Sequence, residues 1–176
     1  MKLVAKILTW TAVGLASVAG LIPIAGQLGA FQGTAPTDLG VKDGRLKAPS
    51  LTPNSVSSQA DLFADHPQRA YAQIAALQFP GNAKTDMATV AQAVQALGGC
   101  QIVKQDSPQA PGYLYAQCRT VWLGFVDDLE VWDNPGQQRI EVRSASRLGR
   151  KDFGVNRARV ESLRTRLGGF AASGQK

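Results

Sequence analysis

Three acidic residues, Asp127, Asp128 and Glu130, sit within four positions, and Arg139, Arg143 and Arg147 follow at four-residue intervals. Carboxylates so close together can do acid–base work when their environments hold them in different protonation states. Arginines offer a planar fork of donors that clamps an anionic group bidentately. Both segments alternate apolar and polar residues, and they flank Asn134-Pro135-Gly136, so they read as the arms of one hairpin. The alternation puts Asp128, Glu130 and Trp132 on a face with Arg139, Glu141 and Arg143. Leu129 and Val131 share the opposite face with Ile140 and Val142. The plainer expectation is an ionic lattice on a solvated face, where each cross-strand pair contributes about 0.2–1 kcal/mol.

The second arm runs on through Ser144, Ser146 and Arg147 into a turn and a helix start at Asp152, Asn156 and Arg157. Ser144 and Ser146 fall on the Ile140 face and read as buried small residues rather than nucleophiles, because no base and no Gly-x-Ser-x-Gly elbow accompanies them. Asp152 and Asn156 are the residue types that satisfy free amides at a helix start. That helix N-terminus, beside Arg143 and Arg147, is also a place where an anion could bind. The candidate ligand- or partner-binding residues are therefore Asp127, Asp128, Glu130, Arg143, Ser144, Ser146, Arg147, Asp152, Asn156 and Arg157; no catalytic residue is assigned.

Other chemistry is sparse. His66 is the one histidine, so a histidine-based triad or zinc centre has little to be built from, and no metal or cofactor is expected. Cys100 and Cys118 are the only cysteines; they fall on neighbouring strands and read either as a disulfide or as two small buried thiols. Tyr113, Tyr115 and Trp122 read as core or sheet-surface residues.

The elements that must position these residues follow from periodicity. Residues 61–77 have helical content, although Gln73–Phe79 before Pro80-Gly81 could be extended. Met87, Val90, Val94 and Leu97 recur at helical spacing, with Thr85 or Asp86 as the cap and Gly98-Gly99 as the stop. Strands are expected at Cys100–Gln105, at Tyr113–Phe125 (one strand, or two joined near Gly124), at Asp128–Asp133 and at Gln138–Ser144. Residues 107–112 read as a turn. The last helix starts near Asn156, carries Val160, Leu163 and Leu167, and is expected to stop at Gly168-Gly169. The result is an α+β fold: a four- to five-stranded, mainly antiparallel sheet with two helices on one face and the charged face open or covered by the preceding linker.

Ahead of this domain (residues 61–170, with a flexible tail at 171–176) lie two other segments. Residues 32–60 are rich in Gly, Pro, Ser and Thr and read as an extended linker climbing away from a membrane, with Leu39, Val41, Leu46 and Leu51 as anchors if it lies along the domain. Residues 1–31 read as a membrane anchor or signal segment. Lys2 and Lys6 precede an apolar run from Ile7 to Gly26, about the length that crosses a bilayer core. Basic residues before the run favour a cytoplasmic N-terminus and a folded part on the far side. Ser17-Val18-Ala19 offers a cleavage site as the alternative. No cysteine lies near the run, which argues against a lipoprotein anchor. Residues 139–176 hold ten basic and three acidic residues, a local charge of +7 in a chain of net charge +6. An exported basic domain points to lipid or an acidic partner, and away from nucleic acid.

Together, Leu39–Pro49 running into Pro53–Gln59, Gly124–Glu130, and Arg143–Gly149 with Asp152, Gly154, Asn156-Arg157 and Arg159 resemble the family called domain of unknown function 1499. The resemblance spans roughly residues 38–167. It implies an exported or membrane-associated protein of bacteria or plastids, including cyanobacterial and thylakoid-lumen relatives, and no established activity. It also implies that the acidic and Arg-Ser-Ala-Ser-Arg pieces form one assembled site. Family members carry cysteines in the linker; Ser50 and Ser55 stand near or at those places here, so a linker thiol or disulfide function does not transfer.

The expected function is a membrane-anchored binding or interaction module facing periplasm or thylakoid lumen, or soluble there if the segment is cleaved. It would contact the membrane through its N-terminal helix, and a protein complex or anionic ligand through the charged residues. One alternative is a hydrolase-type enzyme using Asp127, Asp128 or Glu130 with Arg143 and Arg147. Another is a structural subunit of a photosynthetic or envelope complex, which would make its contacts through the apolar run and linker.

Overall fold

The computed structural model of the chain describes residues 2–78, 87–107 and 110–173. A long helix α1 (Lys2–Ala25) leads through a kinked turn at Gly26–Ala30 into an extended strap. Next come β1 (Ser55–Ser57), a single 3-10 turn at Ala60–Leu62 and the short helix α2 (Arg69–Ala72). The remaining elements are α3 (Met87–Gln95), β2 (Cys100–Ser107), β3 (Ala110–Arg119), β4 (Val126–Asn134), β5 (Arg139–Ser146) and α4 (Val155–Ser173). Five antiparallel strands form one sheet in the order β1-β5-β4-β3-β2.

The α+β expectation holds, and the helices cover the sheet face it named. Val90 and Val94 of α3, with Val160, Leu163 and Leu167 of α4, close on Leu114, Ala116, Leu129, Val131, Ile140 and Val142. The hairpin register pairs Glu130 with Arg143 and Val131 with Val142. Residues directly opposite on antiparallel strands share a face, so charged and apolar sets separate as the alternation required.

Several expectations change. Helix α4 runs through Gly168-Gly169 to Ser173 instead of stopping there. Glycine weakens a helix interior by roughly 1 kcal/mol but does not by itself end one. Residues 61–77 are helical only in the 3-10 turn that ends at Leu62 and at Arg69–Ala72; the chain then extends, bridging Gln73 to Ser57 of β1 and Leu77 to Ile140 of β5. Ala110–Gly112 belong to β3 and not to a turn. That strand ends at Arg119, and the chain turns through Thr120–Leu123 into Gly124, whose φ is +65°. The expected cap at Thr85 or Asp86 lies outside the described residues.

The strap takes one of the two paths the sequence left open. It does not stand off the domain but lies across the second face of the sheet. Leu46 is buried against Tyr113 and Trp132, with Val41 and Tyr115 beside it, whereas Leu51 is exposed. Burying one leucine in this way contributes about 1.5–3 kcal/mol. A tight turn at Lys42–Arg45 and reciprocal bonds with Gln59 (Leu46 N to Oε1, 2.7 Å; Nε2 to Gly44 O, 3.2 Å) fix the path. The charged face is therefore buried under protein, not solvated, and β4 and β5 are covered on both sides.

Candidate functional site

On the strap side, Glu130 is fully buried at the centre of a network. Its Oε2 accepts from Arg143 Nη1 (3.3 Å), and its Oε1 accepts from Tyr113 Oη (2.7 Å) and from the strap amide of Gly40 (2.9 Å). Arg143 Nε reaches the strap carbonyl of Ala48 (3.3 Å). One pair of opposed residues thus ties β4, β5, β3 and the strap together. Burial, then the Glu130 charge and hydrogen bond, push the Tyr113 hydroxyl pKa far up. It stays protonated and donating.

Beside it, Arg147 forks onto Asp128, with Nη2 to Oδ1 at 2.7 Å and Nε to Oδ2 at 3.0 Å; both side chains are nearly enclosed. Tyr115 Oη donates to Asp128 Oδ1 (2.6 Å) and accepts from Arg147 and Gln117. The hydrogen bond to Asp128 outweighs burial and raises the Arg147 pKa. Burial, followed by the Asp128 bond, raises that of Tyr115. At the outer end of β5, buried Glu141 takes Arg139 Nε (2.7 Å) and Ser58 Oγ (2.5 Å).

The helix side carries a second network. Asp127 Oδ2 pairs with Arg159 Nη2 at 2.5 Å. Arg159 Nη1 also donates to Ser144 Oγ (3.0 Å) and Asn156 Oδ1 (2.8 Å), and Ser144 donates to the same Asn156 oxygen (2.6 Å). Asn156 Nδ2 donates to Asn54 O (3.0 Å) and Ser146 Oγ (2.9 Å). Asn156 is therefore not the helix cap. Asp152 takes that role, accepting from the amides of Gly154 (3.1 Å) and Asn156 (3.2 Å) and from the Tyr71 hydroxyl. Burial alone would raise the Asp152 pKa. Tyr71 and these amides overcome it, and the carboxyl lies below its ordinary value. Burial and the same carboxylate push Tyr71 up to about 12.

Nine of the ten candidate residues thus fall into two layers. Asp128, Glu130, Arg143 and Arg147 are joined under the strap. Asp127, Ser144, Ser146, Asp152 and Asn156 are joined under α4. Arg157 stands apart, donating to the carbonyls of Gln73 (3.0 Å) and Tyr71 (2.6 Å). The helix start expected to receive an anion already holds the Asp152 carboxylate. Among the described residues, Asn54 Oδ1 is the buried side-chain polar atom without a hydrogen-bond partner. His66 accepts from the Gln68 amide in a local turn.

Cys100 and Cys118 face one another across β2 and β3 and form a disulfide with their Cα atoms 3.9 Å apart. Sequence reasoning missed Tyr71, Ser58 and the two tyrosine hydroxyls as network members. Nothing local marks Tyr71, whose partner Asp152 is eighty-one positions away. An open cleft of about 510 Å³ lies beyond the networks. Ser58, Asp61, Gln73, Gln78, Arg139 and Arg164 are among the residues that line it.

No curated protein and no solved structure matches this chain. A family model does match, over residues 45–167, from the strap to the apolar stripe of α4. That span holds the side chains of both buried networks and most of the chain, so the protein belongs to the family described as protein of unknown function, DUF1499.

Proposed function

We propose that this chain is a membrane-anchored, extracytoplasmic binding module that presents a rigid surface to a polar ligand or partner segment. One observation carries the reading: the carboxylates and arginines that could have done chemistry consume one another. Asp127, Asp128 and Glu130 are each enclosed and paired with Arg159, Arg147 and Arg143. A general acid or base must reach the substrate proton at hydrogen-bond distance. The three carboxylates named for the hydrolase alternative are therefore not placed for it.

A polar surface left open is the cleft at the β5 edge. Glutamines, Ser58, Asp61 and the half-exposed Arg139 offer both donors and acceptors there. Arg157 and Arg164, donating to the carbonyls of Tyr71, Gln73, Ala75 and Ala76, hold its wall in place. The apolar helix α1 supports anchoring by length and composition, and the Cys100–Cys118 disulfide fits an oxidising compartment such as periplasm or thylakoid lumen.

A photo-crosslinking residue placed at Arg139 in the full-length protein in its native membranes tests this reading. A discrete adduct from position 139, absent when the probe replaces exposed Arg166, is expected. No adduct, or equal labelling from both positions in folded protein, would remove the cleft as the binding surface.

A further inference from the structure

The β3–β4 loop is apolar at its tip and exposed there: Val121 is 83% and Trp122 79% solvent-accessible. It does not wave free. Gly26, at the end of α1, lies so close to the loop that a Cβ there would stand 2.1 Å from Leu123 O. A Cβ on Gly124 would stand 2.3 Å from Gly26 O. Gln27 Nε2 donates to Val121 O (2.5 Å), Arg119 Nη1 donates to Gln27 O (3.0 Å), and the Phe31 and Phe125 rings stack with centroids 5.2 Å apart. Pro23, Ile24 and Leu28 of the helix end form an apolar groove of about 480 Å³ with Val121 and Trp122.

The backbone at the base of the loop is bonded within the protein as well. Besides Val121 O, the Gly124 amide donates to Thr120 O (3.0 Å), the Phe125 amide to Thr120 Oγ1 (2.9 Å), and the Thr120 amide to Phe125 O (2.9 Å). Tryptophan is the residue that favours the headgroup level of a bilayer.

From this geometry we infer that the β3–β4 loop is a second membrane contact. Val121 and Trp122 sit in the interfacial zone of the bilayer beside the end of α1, and the groove between them accepts lipid acyl chain. The domain then does not swing on a tether but is seated on the membrane in one orientation. The β5–α4 loop leaves the same end of the sheet, since Ser146 pairs with Asp127 and the Arg147 amide reaches Val126 O. That loop carries exposed Arg150 and Lys151, suited to anionic headgroups. It also carries Phe153, 92% accessible at a φ of +51° that bulky residues rarely adopt.

The seat rests on the anchoring proposed above, and two tryptophans separate the two ideas. The full chain is reconstituted in vesicles of phosphatidylcholine and phosphatidylglycerol, with phosphatidylcholine brominated either near the headgroup or near the chain end. W10F reports Trp122, W122F reports Trp10, and W10F/W122F gives the background of enclosed Trp132. Trp122 is expected to be quenched by headgroup-proximal bromine at least roughly twofold above that background, as befits an interfacial indole. Quenching of Trp10 without quenching of Trp122 would leave the anchor standing and overturn the seat. Quenching of neither would remove the anchor and the seat together. Trp132 emission reports that each variant is folded.

Discussion

At the scale of single residues, Glu130 and Arg143 show why the charges are structural. Removing one member of an enclosed ion pair strands the other, at a cost of about 3–5 kcal/mol. R143M is therefore expected to lower unfolding free energy by about that much in urea titration, and R143M/E130L to recover about half of the loss, because the apolar pair leaves no orphan charge. A loss below about 1 kcal/mol for R143M would mean the pair is solvated after all. Asp152 sets a pH dependence. Its folded pKa lies below its ordinary value, so its contribution is complete above about pH 4, where the unfolded carboxyl is ionised, and fades as pH falls through the lower folded value. Stability measured from pH 6 down to pH 2 should show this acid limb in the wild type and a shallower one in D152N. Tyr71 works in the opposite sense. Its folded pKa of about 12 makes its contribution complete below pH 10 and lost as pH rises toward 12.

The hairpin, the strap and the disulfide act as elements. The strap converts β4 and β5 from strands with one wet face into strands buried on both, and Leu46 is its principal anchor. L46A should cost about 2–5 kcal/mol, the range for a large-to-small change in a packed site. It should also raise hydrogen exchange at residues 40–48 more than in α4. Equal acceleration everywhere would show that the strap unfolds only with the whole domain. The Cys100–Cys118 bond closes a separation of 18 residues, for which chain entropy predicts about 3 kcal/mol of stabilisation. Thermal unfolding with and without reductant measures it directly, and an unchanged midpoint would make the bond dispensable.

For the whole molecule, the decisive junction is between α1 and the β3–β4 loop. Gly26 and Gly124 touch backbone to backbone, and Gly124 holds a positive φ as well. A methyl group at either place forces the two apart. G124A is expected to leave the core stable within about 1–2 kcal/mol, yet to increase exchange or proteolysis at residues 26–33. The anchoring proposed above requires the N-terminal segment to be retained, so mass spectrometry of the native protein should find residues 2–19 present and carbonate washing should leave it in the membrane. A mature N-terminus at Gly20 would reverse that conclusion.

By itself the sequence determined the class of fold, the apolar helix, the hairpin and the division of its residues between two faces. Those follow from periodicities of 2.0 and 3.6 and from turn residues, which act over a few positions. It also marked part of the buried networks, because Asp128, Glu130, Arg143 and Asn156 sit in short polar runs unlike an ordinary strand or helix. Only the tertiary structure decided what those residues do. Strap residues with no periodicity of their own, ninety positions from Glu130, lie over it and turn a surface lattice into an interior one. Tyr71 reaches Asp152, and Gly26 meets Gly124, by contacts that no local pattern encodes. A helix end cannot be read from a glycine pair when packing upstream, at Leu163 and Leu167, holds the helix in place. Local rules set the alphabet of elements; desolvation and long-range packing, which depend on the whole chain, set which charges are buried and which surface stays open.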